Sequence, residues 1–442
     1  MKILNTLIII IFLSHCSFDN KSGIWKNESN VSENNKNDIF EEFQTLSSSG
    51  NIFNEVIPLE GKLIIGPLIQ KNNFKWNDVF YDKTNNLENF SYSDLNQTVF
   101  KSKKLSNSVS NKYILFENNN VISSDIKGYI NIFSISDNKI INKFNFYGKR
   151  YKKIDKNLNL LIEDNIIYVS DNLGYLYAYN YLDNKIIWAK NYKVPFRSNL
   201  KIFKNKLIAA NESNNLLFFE KTSGELLKSI PTEETTLKNE FKNNLSLSGN
   251  YLFFLNTYGS LYAIESSSMR VKWFISLNKT FDINPSNLFK GNQIVSKKDK
   301  IIVSANEYLY VLNAINGAVI TKKNLTTRIK PVIIENYLFL VTKNNLLINF
   351  DLNTGKILYS YDINQKIAAF LNTKKKTVNV KTFMVANSRI VLFLNNSYIL
   401  KFNFEGNLEK VDKLSASLNT QPIFINKSLL YLDYKNKLNI ID

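Results

Sequence analysis

The chain repeats itself, and the repeat decides what it can fold into. Asn165-Ile166-Ile167-Tyr168-Val169-Ser170 leads to Gly174-Tyr175-Leu176-Tyr177-Ala178-Tyr179 and then to Asn184-Lys185-Ile186-Ile187-Trp188. The same order returns as Gly249 to Phe254, Gly259-Ser260-Leu261-Tyr262-Ala263-Ile264 and Val271-Lys272-Trp273. Weaker copies surround Leu309 with Asn316-Gly317, and Leu347 with Asn353-Thr354-Gly355. Anchoring each copy on the first apolar residue of its third run gives Ile130, Leu176, Leu216, Leu261, Leu309, Leu347, Ile399 and Leu438, spaced 38 to 52 residues apart. Within each run apolar and polar residues alternate with period two, which is a strand pattern. A spacing near 44 residues is the length of four short antiparallel strands with their turns, one blade of a β-propeller.

Eight anchors predict a single all-β, eight-bladed propeller of four-stranded antiparallel blades, with the blades over about 107–442. The last copy stops at Ile440-Ile441-Asp442, straight after its third strand, so an outer strand is missing there. An isolated strand candidate upstream, about 73–80, carries Trp76 where other copies carry Trp188 and Trp273. That segment is therefore expected to complete the C-terminal blade and close the ring, which removes exposed edges. Trp76, Trp188 and Trp273 are expected to dock neighbouring blades.

Composition narrows the chemistry. The sole cysteine is Cys16 and the sole histidine His15, so no internal disulfide, no Cys/His zinc site and, once the leader is gone, no His-dependent triad can form. The net charge of +18 raises the question of nucleic acid, but the lysines are scattered and no aromatic-plus-basic strip stands out. A solvated basic surface and no nucleic-acid partner is the expectation. Gly and Pro number only 14 and 7, and Asn-rich turns take their place.

The N-terminus reads as an address. Lys2 precedes the apolar run Leu7 to Leu13, too short to span a bilayer, which takes about 20 residues, and typical of a secretory signal peptide. Leu13-Ser14-His15-Cys16 resembles the lipobox of bacterial lipoproteins, with His15 where a small residue is usual. The resemblance implies a signal peptide over 1–15, lipidation of Cys16, a lipid anchor in the membrane and, with Ser17 next, the outer membrane. Residues 16–52, rich in Asn, Ser, Lys and Glu, read as a flexible tether to a propeller over 53–442.

The order glycine, Leu-Tyr-Ala, Asn/Thr-Gly turn and Trp resembles the repeat of pyrroloquinoline-quinone-type propellers, which include quinoprotein dehydrogenases and the outer-membrane protein assembly lipoprotein BamB family. Fold does not choose between the two. A quinone site needs a flat aromatic floor, oxygen-ligated calcium and a carboxylate base, and dehydrogenases of that type commonly add a disulfide between adjacent cysteines. Here the tryptophans are assigned elsewhere and no cysteine pair exists. The BamB resemblance implies a non-enzymatic scaffold with no cofactor and no metal, facing the periplasm. Its partners would be the periplasmic domains of a BamA-like channel subunit and unfolded outer-membrane protein clients. It places the partner-binding element at Phe196 and Arg197, after the Trp188 strand, with Glu240 as a loosely aligned acidic counterpart. A quinone- and calcium-dependent dehydrogenase and an envelope glycan-binding propeller stand as alternatives. Glu233-Glu234 reads as a solvated loop pair, and Lys374-Lys375-Lys376 as a basic loop between blades six and seven that touches anionic headgroups at most. No P-loop, dinucleotide fingerprint or nucleophile elbow is present.

Overall fold

The computed structural model describes residues 52–63, 65–234, 241–278 and 289–442, together with two short strands nearer the N-terminus. Those two, Cys16–Phe18 and Trp25–Asn27, pair antiparallel within a separate unit, residues 1–50. The rest of that unit lies outside the described residues, as do the side chain of Cys16, residues 235–240 and residues 279–288.

Residues 110–441, with one strand added from residues 98–104, form eight successive blades. Blade 1 runs Ser110–Glu117, Asn120–Asp125, Tyr129–Ser134 and Lys139–Asn145 from the axis outward, and the others copy it. All eight repeat anchors fall in third strands, and each is at most 1% exposed. The three inner strands of a blade are covered on both faces by neighbouring blades, so they read as continuous apolar runs such as Tyr251–Leu255. Outer strands meet solvent on one face and alternate, as in Lys185–Asn191, where Trp188 is the buried position. Several inner hairpins turn through two residues with positive φ, Asn118-Asn119, Asp164-Asn165 and Asn426-Lys427 among them. That is the type I′ turn, with asparagine doing what glycine does elsewhere. In blades 1 to 7 the pairing of third and outer strands slips at one bulge, which adds twist where the blade splays from its neighbours.

The ring closes as expected in kind but not in place. The outer strand of the C-terminal blade is Thr98–Lys104, which pairs antiparallel with Lys437–Ile441. The predicted segment, about 73–80, is not an outer strand. It runs inside the ring, because Trp76 and its neighbours carry too much apolar surface for an outer edge that stays half in water. Trp76 is 4% exposed there, in a cluster with Tyr81 at 4.8 Å and Phe90 at 5.5 Å between ring centroids.

Residues 73–93 make a full circuit of the channel wall, touching the blades in order. Asn73 donates to Phe424 O of blade 8, and Trp76 exchanges both backbone hydrogen bonds with Phe116 of blade 1. The Ile162 amide of blade 2 donates to Asn77 O, and Lys201 of blade 3 reaches Asp78. Lys83 and Thr84 accept from Leu247 of blade 4 and Ser296 of blade 5. Asn86 exchanges two hydrogen bonds with Ile333 of blade 6. Asn89–Phe90 adds a fifth, parallel strand to the inner edge of blade 7, and Ser93 donates to Lys427, back at blade 8.

Lys201 is the fixed point of this circuit. Its side chain is fully buried, and its three ammonium protons go to Asp78 Oδ2 at 2.7 Å, Asp82 O at 2.8 Å and Asn85 Oδ1 at 2.6 Å. Removing one partner of a buried pair strands the other charge. Lys201→Met is expected to lower the unfolding free energy in urea by about 3–5 kcal/mol, and Lys201→Met/Asp78→Leu by less than Lys201→Met alone.

Candidate functional site

The inner strands leave the channel at one end filled by residues 73–93 and at the other end open. The open end is a funnel of two adjoining cavities, about 150 and 660 Å3, that share Val79, Phe80, Lys112, Tyr113 and Gln293 in their walls. Its walls are the first residues of the inner strands and the connections entering them from the preceding outer strands. Lys112, Lys242, Lys290, Arg328, Lys330 and Lys381 all line it. The expectation of a merely dispersed basic surface is corrected here, since these cations converge although they are far apart in sequence. Each sits near the start of an inner strand, so aligning the repeats by phase brings them to one end of the ring.

Burial lowers the proton affinity of Lys112, with Lys381 adding to it, and that of Lys242, with Arg197 and Lys112 adding to it. Lys330, at the junction with the filled end, is pushed down to about 7 by burial, helped by Lys201 and opposed by Asp82 and Asp78. Its Nζ donates to Phe80 O and Asn85 O, which a neutral amine with two N–H groups satisfies. Burial raises the Asp82 carboxyl, against the hydrogen bonds from Thr84.

The predicted partner element sits on the same end of the ring. Phe196, however, is 3% exposed, packed edge-on against Tyr192 and Phe219 and bridged to Asn211. An exposed apolar anchor is corrected to a core residue between blades 2 and 3, because the connection folds inward to cover the apolar end of blade 3. Arg197 is half-buried, its amide bonded to Ala210 O, and its side chain is close enough to Lys242 to disfavour that lysine's proton. Glu240 lies outside the described residues.

Trp188 and Trp273 each reach the next blade. Trp188 Nε1 donates to Lys221 O at 3.0 Å and its ring lies over Gly224; Trp273 Nε1 donates to Ala314 O at 3.2 Å and lies over Gly317. Both glycines have positive φ, and a Cβ on either would sit 2.4–2.6 Å from the indole, so turn and tryptophan require each other. Tyr361 takes the same place over Gly406. Trp76 belongs instead to the channel, which corrects its assignment as a blade-docking residue.

Glu233 is not a bare solvated carboxylate. It accepts from Asn256, Ser260 and Tyr262, which outweigh the burial that opposes its charge and leave its pKa lowered. Lys374–Lys376 form an exposed loop after a helix, Ile363–Leu371, that the sequence reading missed; Lys375 pairs with Asp362, the residue that also caps the helix. Among the described residues no three His, Cys, Asp or Glu side chains cluster as a metal would need, and no helix is long and apolar enough to cross a membrane.

Eight blades, a ring closed by the N-terminal side of the chain and aromatic residues over glycine turns define a propeller of the quinoprotein-like repeat class. The profile of the outer membrane protein assembly factor BamB family matches residues 127–361 and 289–397, more than half of the chain, which therefore belongs to that family. Among solved structures, BamB from Moraxella catarrhalis superposes with a TM-score of 0.62 at 11% identity, over 78% of this chain and 99% of that one. The quinohemoprotein alcohol dehydrogenase from Comamonas testosteroni gives 0.61 at 9% identity, over 83% and 80%. The computationally designed protein Ika8 gives 0.59 at 11%, over 78% and 99%. At these identities the likeness is one of fold. No curated protein matches the chain.

Lys330 makes a pH prediction. Between about 7 and its ordinary value of 10.5 the unfolded chain carries a proton there that the folded chain lacks, so stability rises with pH across that window. Lys330→Met is expected to flatten that rise relative to the parent in urea unfolding from pH 7 to 10, and to be the more stable of the two at pH 6.5.

Proposed function

We propose that this BamB-family propeller is a non-enzymatic scaffold of the outer-membrane β-barrel assembly machinery. In this reading acylated Cys16 anchors it in the outer membrane, and the tether lets the ring stand off on the periplasmic side. The ring holds the periplasmic domains of a BamA-like channel subunit and helps present unfolded outer-membrane clients to it. The contribution is orientation and raised effective concentration rather than bond making.

The observation that carries the reading is the channel blocked at one end. The axis of the ring there is occupied by the chain's own residues 73–93, which hydrogen-bond to all eight blades. Work on other molecules is thereby left to the faces and the connecting loops. A calcium-bound quinone fits this axis poorly. Asp78 and Asp82 are engaged with Lys201, Phe80 and Thr84, and the open end is lined by cations rather than by a carboxylate cluster.

Arg197 remains the contact proposed for the channel subunit, while Phe196 supports the loop from beneath. An arginine on a braced loop is a common interface hot spot. Binding of the full chain in nonionic detergent to the periplasmic domains of the host's channel subunit tests this. Arg197→Glu is expected to weaken binding about tenfold or more, about 1.4 kcal/mol, with the ring still folded by circular dichroism. Phe196→Ala should instead cost about 3 kcal/mol or more of stability, as a buried phenylalanine does. Absence of binding by the parent chain would sink the scaffold reading; binding indifferent to Arg197→Glu would relocate the contact.

A further inference from the structure

The open funnel gathers charge of one sign. Six basic side chains line it, of which Lys330, turned to Phe80 O and Asn85 O, is neutral above about pH 7, and no aspartate or glutamate stands among the described residues of its walls. The nearest acids beneath are already engaged. Asp78 Oδ2 accepts a hydrogen bond from the Lys201 ammonium, and Asp82 accepts from the backbone amide and hydroxyl of Thr84. Like charges held in a concave, low-dielectric wall repel one another and focus their field into the cavity, where an anion relieves the repulsion. That repulsion is visible in the molecule. Besides burial, Lys381 works against the proton of Lys112, and Arg197 and Lys112 work against that of Lys242.

We propose that this funnel is a binding site for a small multivalent oxyanion, with phosphate groups as the favoured chemistry. Five of the six basic side chains are lysines, whose compact ammonium groups bind phosphate oxygens as point charges and do not demand the planar, bidentate geometry of a guanidinium. The larger cavity, about 660 Å3, is in the range of ordinary ligand pockets. Aromatic rings stand between the charges. Phe80 meets Tyr113 edge-on at 5.5 Å and Phe241 meets Phe289 at 5.4 Å, so a ligand's uncharged part has an apolar wall to lie on. The filled end of the channel makes the site blind, and a ligand enters and leaves by the same mouth. The site goes beyond the scaffold reading and does not depend on it, since nothing in it involves the channel subunit.

The test is calorimetric titration of the full chain, in nonionic detergent, with tripolyphosphate. The expected result is saturable binding of one anion per chain, weakened about tenfold or more by Lys112→Gln/Lys242→Gln. Lys290→Gln, on the exposed rim where folding is not at stake, should weaken it several-fold, and Lys139→Gln/Lys185→Gln, exposed at the starts of two outer strands and so at the opposite end of the ring, should leave it unchanged. Absence of saturable binding, several equivalent sites, or equal loss in that opposite-end variant would overturn the proposal. Vesicles containing an anionic phospholipid identify the source. Competition between vesicles and tripolyphosphate assigns the site to a lipid-borne phosphate, and its absence assigns it to a soluble anion.

Discussion

Asn85 is the residue on which the ring turns. It is fully buried, with φ near +62°, a conformation asparagine tolerates better than most residues. Its side-chain amide donates to Leu245 O of blade 4 and Ile294 O beside blade 5. Its side-chain carbonyl accepts a hydrogen bond from Lys201 of blade 3, and its backbone carbonyl accepts one from Lys330 at the entry to blade 6. One small polar residue thus links four blades at the axis. A propeller whose inner strands face an empty channel would leave such groups to water. Here the chain supplies its own polar lining, and the remaining blades follow from the same circuit.

Two consequences reach the function. The ring has no free blade edge at its seam, because residues 73–93 hold it from within and Thr98–Lys104 from without. Such a body changes shape little on binding, which suits the scaffold role proposed for it. The circuit also makes the two ends of the ring unlike. One is filled by backbone and aromatic side chains. The other is open, basic and ringed by the loops that enter each inner strand, Arg197 among them. The same connections that set blade order therefore gather the charged face.

Much of the fold was legible because the propeller writes its core into every repeat. Ile130, Leu176 and the other anchors are apolar for the same reason, each being the middle of a blade pressed between neighbours. Trp188 and Trp273 were legible through the outer-strand position that they hold in successive repeats. Trp76 misled because a tryptophan beside alternating residues satisfies an outer-strand pattern and a channel-lining one equally well; only the burial of the whole segment separates them. Phe196 misled similarly, since an aromatic on a loop reads as exposed until the loop is seen to fold over a blade end. The funnel was hidden by distance in sequence. Lys112, Lys242, Lys330 and Lys381 look like scattered surface charge until the ring closes and sets them side by side.

The account rests on residues 73–93 being part of the ring's core rather than a strap laid into a finished propeller. Hydrogen–deuterium exchange of the intact chain measures this directly. The account predicts that the few channel-segment amides bonded to protein acceptors, those of Trp76 and Tyr81 among them, exchange as slowly as those of inner strands such as Asn244–Ser248, and in the same cooperative opening. Fast exchange of those amides while the inner strands stay protected would contradict it, and would mean that the blades hold the ring without their axis.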